Sequence, residues 1–194
     1  MAVSSTKGFF SLDWKIVKAM IWTETGAHDP AWHSRPMQIG NEGDSGLDAL
    51  LAKDQGGEII LPMLYRIMLN KDNVRTRPLF NIEAGVGYLL LRMANYGFAN
   101  FEDQRDSVHD YTVSSGDTLE GIAIAHKSTV KELQKLNPHA GMLSIGQKLK
   151  IRRAEIRKVI TGFIAITPDN IAKYYNTRDE RYADKLRNCL KYIK

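Results

Sequence analysis

The chain has 194 residues, of which 43% are apolar and 25% charged, a composition typical of a globular protein with one medium and one small domain. Its net charge of +5 is uneven: Lys plus Arg against Asp plus Glu number 11 and 13 in residues 1–108, 7 and 4 in 109–153, and 9 and 5 in 154–194. Positive charge favours approach to an anionic polymer. No nucleic-acid-binding motif accompanies that charge, so we expect no nucleic-acid partner.

The first ten residues, MAVSSTKGFF, contain one lysine and no long apolar core. They predict neither a secretory signal nor membrane insertion.

A first helix is predicted to begin after Asp13 and to end near Gly26, with apolar residues at helical spacing at Trp14, Ile16, Val17, Met20 and Ile21. Glu24 then lies in the last turn of an apolar helix. The negative end of the helix dipole and the loss of water both favour its protonated form. A carboxyl with a raised pKa is what a general acid for glycosidic cleavage needs.

The loop that follows carries several carboxylates, and residues 41–48 read NEGDSGLD. A second carboxylate that activates water would make such a site hydrolytic. The candidates are Asp29, Glu42, Asp44 and Asp48. Sequence spacing gives no carboxylate separation, so a solvated loop position remains the alternative for each.

A strand, two helices and a second strand are predicted further along. Aromatic and β-branched residues favour strands at 111–113 and 148–151. Helical spacing of apolar residues follows two start signals, Asp117 or Thr118 and then Ser128-Thr129. The second helix ends at an Asn-Pro pair, and the two strands can pair with each other.

This segment resembles a LysM domain, through YTVSSGDTLEGIA at its start, LQKLNP in its middle and LSIGQKLKI at its end. The family binds N-acetylglucosamine-containing chains, peptidoglycan or chitin, in a shallow groove between two loops. Carried onto this sequence, the groove residues are Gly116, Asp117, Thr118, Leu119, Asn137, Pro138 and Met142. For Asp117 and Asn137, beginning or ending a helix is an equal alternative.

Three further segments accompany the helix-end glutamate: PMQIG at 36–40, NIEAGVGYLLL at 81–91 and IAKYYN at 171–176. Together they resemble the lytic transglycosylase branch of the lysozyme-like superfamily. The resemblance implies that Glu24 protonates the bond between N-acetylmuramic acid and N-acetylglucosamine. It then accepts the proton of the muramyl C6 hydroxyl as a 1,6-anhydro ring closes.

The same resemblance assigns the neighbouring residues. Gln38 would hydrogen-bond the sugar or hold its loop, and Tyr175 would position Glu24 or the saccharide, with Tyr174 the alternative. Thr25 stands where the family commonly has serine. Thr25 and Met37 are candidate substrate contacts, with packing the alternative for Met37.

The predicted fold is mainly α within an α+β class. A discontinuous lysozyme-like helical domain, residues 1–108 and 154–194, would accept the βααβ LysM module, residues 109–153, as an insertion. A closing helix over 181–193 would complete the core of the helical domain.

We expect no metal and no cofactor. His28 and His33 lack a third clustered ligand, and the single Cys189 falls at an apolar helical position. No phosphate-binding glycine motif or Ser-His-Asp signature is present.

Three functions remain open: a lytic transglycosylase, a hydrolytic muramidase, and a cell-wall-binding protein without catalysis. Peptidoglycan lies outside the cytoplasmic membrane. We therefore expect synthesis in the bacterial cytoplasm and delivery to the periplasm or cell wall by a specialised route, as for phage lysins or type VI secretion effectors. Such a route implies a secretion-machinery component and an immunity protein as partners.

Overall fold

The computed structural model describes residues 12–26, 28–52 and 54–194. The protein is a mixed α+β chain that divides into two compact units. The first unit comprises the residues up to Tyr96 together with Ile160–Lys194, and the second comprises Gly97–Val159. Among the described residues, no helix has both the length and the apolar content needed to cross a membrane.

The first unit is helical. Its helices are α1 (Trp14–Glu24), a 3₁₀ turn (Pro30–His33), α2 (Gly46–Leu51), α3 (Gly57–Ile60), α4 (Met63–Met68), α5 (Lys71–Thr76), α6 (Pro78–Met93), α9 (Pro168–Tyr174) and α10 (Tyr182–Tyr192). Helices α2, α3 and α5 pack on α6, and α10 packs on both α1 and α9. The predicted closing helix is therefore present, and it contributes Tyr182, Leu186 and Ile193 to the core.

Helix α1 begins as expected, because the Asp13 side chain accepts a hydrogen bond from the Lys15 backbone N–H at 2.9 Å. Its buried face contains Ala19, Met20 and Ile21. The expectation that Trp14 lies on this buried face is wrong, since Trp14 is 56% exposed. Trp14 occupies the first turn, and helical spacing alone did not show that the core does not cover that turn.

A two-stranded sheet, not predicted from the sequence, pairs β1 (Ala94–Glu102) with β4 (Ala154–Phe163). The boundary between the two units falls within both strands. The aromatic residues in β1 and the β-branched run in β4 are typical of paired strands. These signals are short and lie 60 residues apart, so neither segment identifies its partner.

The second unit contains the predicted βααβ order: β2 (His109–Thr112), α7 (Leu119–Ala125), α8 (Val130–Leu136) and β3 (Lys148–Ile151). Strands β2 and β3 are antiparallel, with His109 opposite Ile151 and Thr112 opposite Lys148. Both helices begin at threonine caps, since Thr118 accepts from Gly121 N–H and Thr129 accepts from Glu132 N–H, each at 3.0 Å. The core of this unit consists of Val113, Ile122, Ala123, Leu133, Ala140, Leu149 and Ile151.

The second unit is wider than the predicted 109–153 segment because it takes in parts of β1 and β4. A buried carboxylate on α8 contacts β1. Glu132 on α8 is 0% exposed and accepts hydrogen bonds from Asn100 Nδ2 of β1 at 2.8 Å and from Arg152 Nη2 at 2.6 Å. Because a buried charge is costly without partners, these contacts fix β1 to the βααβ core.

Candidate functional site

Glu24 is the last residue of α1, and its carboxyl is hydrogen-bonded inside the first unit. The hydroxyl of Tyr182, which is 1% exposed on α10, donates to Glu24 Oε1 at 2.6 Å. Burial raises the pKa of Glu24 above its ordinary value, and this effect exceeds the lowering by hydrogen bonds from Tyr182 and Asn176. The nearby carboxylates of Asp179 and Asp44 raise it further.

Glu24 faces a cavity of about 400 Å³. Its walls come from three parts of the first unit: the loop 37–45, Tyr88 on α6, and residues 175–178 after α9. The cavity is open to solvent and large enough for a sugar ring. A partly dehydrated carboxyl in an accessible cavity can exchange a proton with a bound ligand.

The loop 37–45, which forms one wall of the cavity, is held in place by a buried asparagine. Asn81 is 0% exposed, accepts from Met37 N–H at 2.7 Å, and donates to the carbonyls of Ile39 and Val74 at 3.0 Å each. Asn81 lies inside α6, so its side chain holds the loop and does not cap a helix end. The side chain of Met37 packs against Gly85, where an added Cβ would lie 2.7 Å from Met37 Cβ.

Two of the expected substrate contacts serve this loop. The Thr25 hydroxyl donates to the Pro36 carbonyl at 2.6 Å and accepts from Gln38 Nε2 at 3.2 Å. Gln38, at φ +52°, also donates to the Arg35 carbonyl at 3.0 Å, and its Oε1 accepts from Asn41 Nδ2 at 2.8 Å. The sequence left two roles open for Gln38, and these contacts correspond to the second, which is to hold the loop. Met37 is 1% exposed and lines the cavity from the core side.

Tyr175 lines the cavity and lies near two other tyrosines with tilted rings, its ring centroid 5.4 Å from that of Tyr88 and 6.4 Å from that of Tyr182. Burial raises its pKa well above the ordinary value, and the Glu24 charge adds to this. Tyr174 lies outside the lining; its carbonyl accepts from Arg92 Nε at 2.8 Å and its ring faces the Lys173 ammonium. Tyr182, on the predicted closing helix, donates the hydrogen bond to Glu24, and sequence spacing did not predict this contact.

The four candidate second carboxylates separate into two pairs. Glu42 and Asp44 line the cavity with Glu24. Asp44 holds the loop, since its oxygens accept from Gly40 N–H at 2.7 Å and Gly46 N–H at 2.9 Å, whereas Glu42 is exposed. Asp48 forms an ion pair with Lys71 at 2.9 Å, and Asp29 caps the 3₁₀ turn by accepting from Ala31 N–H at 2.8 Å; neither lines the cavity.

Within the ranges that the structure describes, no group of three or more His, Cys, Asp or Glu side chains could hold a metal ion. His28 and His33 are exposed. Cys189 lies on α10 with its Sγ 3.7 Å from Thr23 Oγ1.

In the second unit, two of the predicted groove residues form hydrogen bonds within the chain. Asp117 accepts from Ser114 N–H and from the Tyr111 hydroxyl, each at 2.7 Å, and these bonds lower its pKa. Asn137 bonds the Leu133 carbonyl and both backbone polar groups of Lys150, each at 2.8 Å. Both side chains therefore order their loops.

The remaining groove candidates differ in exposure. Gly116, at φ +88°, forms the turn that glycine favours, Thr118 caps α7, and Leu119 packs against the core of the unit. Pro138 is exposed and Met142 is 88% exposed. The surface available to a ligand here consists of Gly116, Thr118, Pro138 and Met142.

The fold and its contacts define an α+β protein with a cavity-lining glutamate in one unit and a compact βααβ module in the other. The family model of the LysM domain matches residues 111–152, so this segment is a LysM domain, which supports binding to peptidoglycan glycan strands. Comparisons of the chain with curated proteins and with solved structures found no match. The lysozyme-like fold of the first unit stays a prediction.

Proposed function

We propose that the chain is a lytic transglycosylase that binds peptidoglycan through its LysM domain and cleaves the bond between N-acetylmuramic acid and N-acetylglucosamine at Glu24. The observation that carries the proposal is the state of the Glu24 carboxyl. It lines an open cavity, its pKa is raised by burial, and one oxygen is fixed by the Tyr182 hydroxyl. A general acid working near neutral pH needs these properties.

The proposed reaction uses one carboxyl twice. Protonated Glu24 gives its proton to the glycosidic oxygen, and the bond from that oxygen to C1 of the muramyl residue breaks. The muramyl C6 hydroxyl then attacks C1, and the Glu24 carboxylate takes the hydroxyl proton, which regenerates the acid. No water is consumed. Since Glu24 Oε1 accepts from Tyr182, Oε2 is the atom that would carry the transferred proton.

The contacts of the other carboxylates favour this outcome over hydrolysis. Both oxygens of Asp44 accept backbone hydrogen bonds, so Asp44 is committed to its loop. Glu42 lines the cavity but is exposed to solvent. A hydrolytic muramidase would require one of these two to activate a water molecule.

The LysM domain supports the proposal because it raises the local concentration of the glycan substrate. A binding module on the same chain keeps the polymer near the cavity, so successive encounters become intramolecular. This contribution requires no particular arrangement of the two units.

The test is mass spectrometry of the soluble products released from purified sacculi. Transglycosylation would give 1,6-anhydromuramyl ends, whereas reducing muramyl ends would assign the cavity to hydrolysis. The matched control is Glu24→Gln, which should release neither product and should still sediment with sacculi. Release of anhydromuramyl ends by Glu24→Gln would sink the assignment of the acid.

A second candidate is a cell-wall-binding protein without cleavage. It is favoured by the LysM domain, which is the segment that the comparisons matched. In that case the chain and Glu24→Gln would bind sacculi equally, and neither would release soluble fragments.

A further inference from the structure

We propose that a second cavity, in the unit Gly97–Val159 and outside the LysM groove, binds carboxylates of the peptidoglycan stem peptides. This inference rests on the proposed peptidoglycan substrate and not on its cleavage.

The cavity has a volume of about 640 Å³, larger than the one at Glu24. Its walls come from residues 101–105 at the end of β1, the turn 127–129 between α7 and α8, and residues 153–157 of β4 and the position before it. None of these residues belongs to the loops 116–119 and 137–142 of the predicted glycan groove. A ligand in this cavity would therefore leave the groove free.

The acidic groups on the cavity wall are already paired. Glu102 accepts from Lys135 Nζ at 2.5 Å and pairs with Arg152. Asp103 accepts from the backbone N–H of Arg105 at 3.0 Å, and Glu155 pairs with Arg157. The wall therefore holds few carboxylates that could attract a cationic ligand.

The same wall also carries two cationic side chains. Lys127 and Arg153 are both exposed, and neither side chain pairs with a carboxylate within the part of the chain that the structure describes. Their backbones are fixed beside each other, because Ala154 N–H donates to the Lys127 carbonyl at 3.1 Å and Arg153 N–H donates to Asp106 Oδ2 at 2.8 Å. Two adjacent, unpaired cations on a concave wall are suited to a carboxylate.

The backbone of Lys127 adopts a conformation that is unfavourable for a residue with a side chain. Its φ of +51° lies in the left-handed region, where glycine or asparagine costs less free energy. The conformation is held by two backbone hydrogen bonds, from Lys127 N–H to the Ile124 carbonyl at 3.2 Å and from Ala154 N–H to the Lys127 carbonyl. A lysine here supplies an ammonium group to the cavity wall at the expense of local strain.

The rest of the wall favours a peptide over a polymeric polyanion. Phe101 and Ile156 are partly exposed apolar side chains on the cavity wall, and the Arg157 guanidinium lies 5.1 Å from the Phe101 ring centroid. Stem peptides combine carboxylates with short apolar side chains. The wall also carries the carboxylates of Glu102, Asp103 and Glu155, which disfavour the row of phosphates that a nucleic-acid backbone would bring to it.

The proposal is tested by calorimetric titration of the whole chain, carrying Glu24→Gln to prevent cleavage. The probes are a peptidoglycan tetrasaccharide bearing its stem peptides and the same tetrasaccharide after amidase removal of the peptides. We expect the peptide-bearing probe to bind about fivefold more tightly at low salt, from two exposed charge pairs. The difference should shrink as salt is added.

Three further variants locate the effect. Lys127→Gly removes the ammonium and also relieves the left-handed strain, so its melting temperature should equal or exceed that of the parent while the preference for the peptide-bearing probe falls. Arg153→Gln should lower the same preference. Lys131→Gln, an equal charge change on α8 outside the cavity, should leave it intact.

Equal affinity for the two probes, or an unchanged preference in Lys127→Gly and Arg153→Gln, would overturn the inference. Tighter binding of polyglutamate or of a mixed-sequence oligonucleotide, lost in the same variants, would assign the cavity to an acidic macromolecule instead. The failure of the proposed cleavage is measured separately, as absence of anhydromuramyl ends from sacculi treated with the unsubstituted chain.

Discussion

Each unit contains a carboxylate that accepts a hydrogen bond from a tyrosine hydroxyl, and the two carboxylates respond in opposite ways. Tyr182 donates to Glu24 at 2.6 Å and Tyr111 donates to Asp117 at 2.7 Å. The pKa of Glu24 is raised because burial is the largest effect on it, whereas that of Asp117 is lowered because it also accepts from a backbone N–H near solvent. A tyrosine partner alone therefore does not set the direction of the pKa shift: burial sets it for Glu24, and the backbone hydrogen bond from Ser114 sets it for Asp117.

The comparison also separates two roles. The raised pKa of Glu24 favours its protonated form, whereas the lowered pKa of Asp117 favours the ionised form that orders the loop 114–117. The largest expected effect tests the first of these roles. Replacing Glu24 by Gln should lower the release of soluble fragments from sacculi by about a thousandfold, as expected for loss of a general acid. The rate is measured by chromatography of the released fragments.

The control for this change is Asp48→Asn, which neutralises a carboxylate in the same unit that pairs with Lys71 and does not line the cavity. Its rate should stay within about a factor of two of the parent, as expected for an exposed ion pair. A comparable loss in both variants would mean that the cavity carboxyl has no special role.

Removal of the Tyr182 hydroxyl, which donates to Glu24, should lower the rate of fragment release by less. In Tyr182→Phe the ring still fills the core, but Glu24 loses a hydrogen bond that lowers its pKa. The pKa should rise further, so the alkaline limit of activity should move to higher pH. The maximal rate should fall about tenfold because one carboxyl oxygen is no longer positioned.

The pH profile of fragment release distinguishes this positioning role from a general loss of stability. Tyr174→Phe is the matched control, since Tyr174 contacts the chain through its carbonyl and ring and lies outside the cavity. An unchanged alkaline limit in Tyr182→Phe would contradict the role assigned to the hydroxyl.

Stability should depend on Glu24 in the direction set by its raised pKa. Because the folded-state pKa of Glu24 is raised, the contribution of this group to stability is fully present below the ordinary value of 4.5. That contribution is lost as the pH rises through the folded-state pKa. Glu24→Gln should therefore melt at a higher temperature than the parent at pH 8. The gain should diminish on acidification, and calorimetry at several pH values measures it. A gain that grows towards acid pH would show that the carboxyl is not desolvated.

The smallest effect is expected from the second carboxylate. Asp117 has a lowered pKa, so its contribution to stability is present above the ordinary value of 3.8 and is lost as the pH falls through the folded-state pKa. Asp117→Asn should lower the melting temperature of the LysM domain by a few degrees at pH 7 and by less at pH 3. Glu120→Gln, an exposed substitution on α7, should change neither value. A pH-independent loss in Asp117→Asn would point to packing.

Much of the second unit could be predicted from sequence because its signals are local. Threonine caps at 118 and 129 and an Asn-Pro helix end lie within a few residues of the turns that they specify. The same reasoning located Glu24 at the end of α1, because Asp13 fixes the start of that helix. It did not find the pairing of β1 with β4, whose partners are distant in sequence.

The amino-acid sequence by itself determined the βααβ module, the α+β class and the glutamate at a helix end. Only the tertiary structure decided that Tyr182, 158 positions away, contacts that glutamate, that Asp44 is committed to its loop, and that Lys127 and Arg153 both line one cavity. Helix caps and turns depend on neighbours along the chain, whereas burial and long-range hydrogen bonds depend on which surfaces the packed elements bring together.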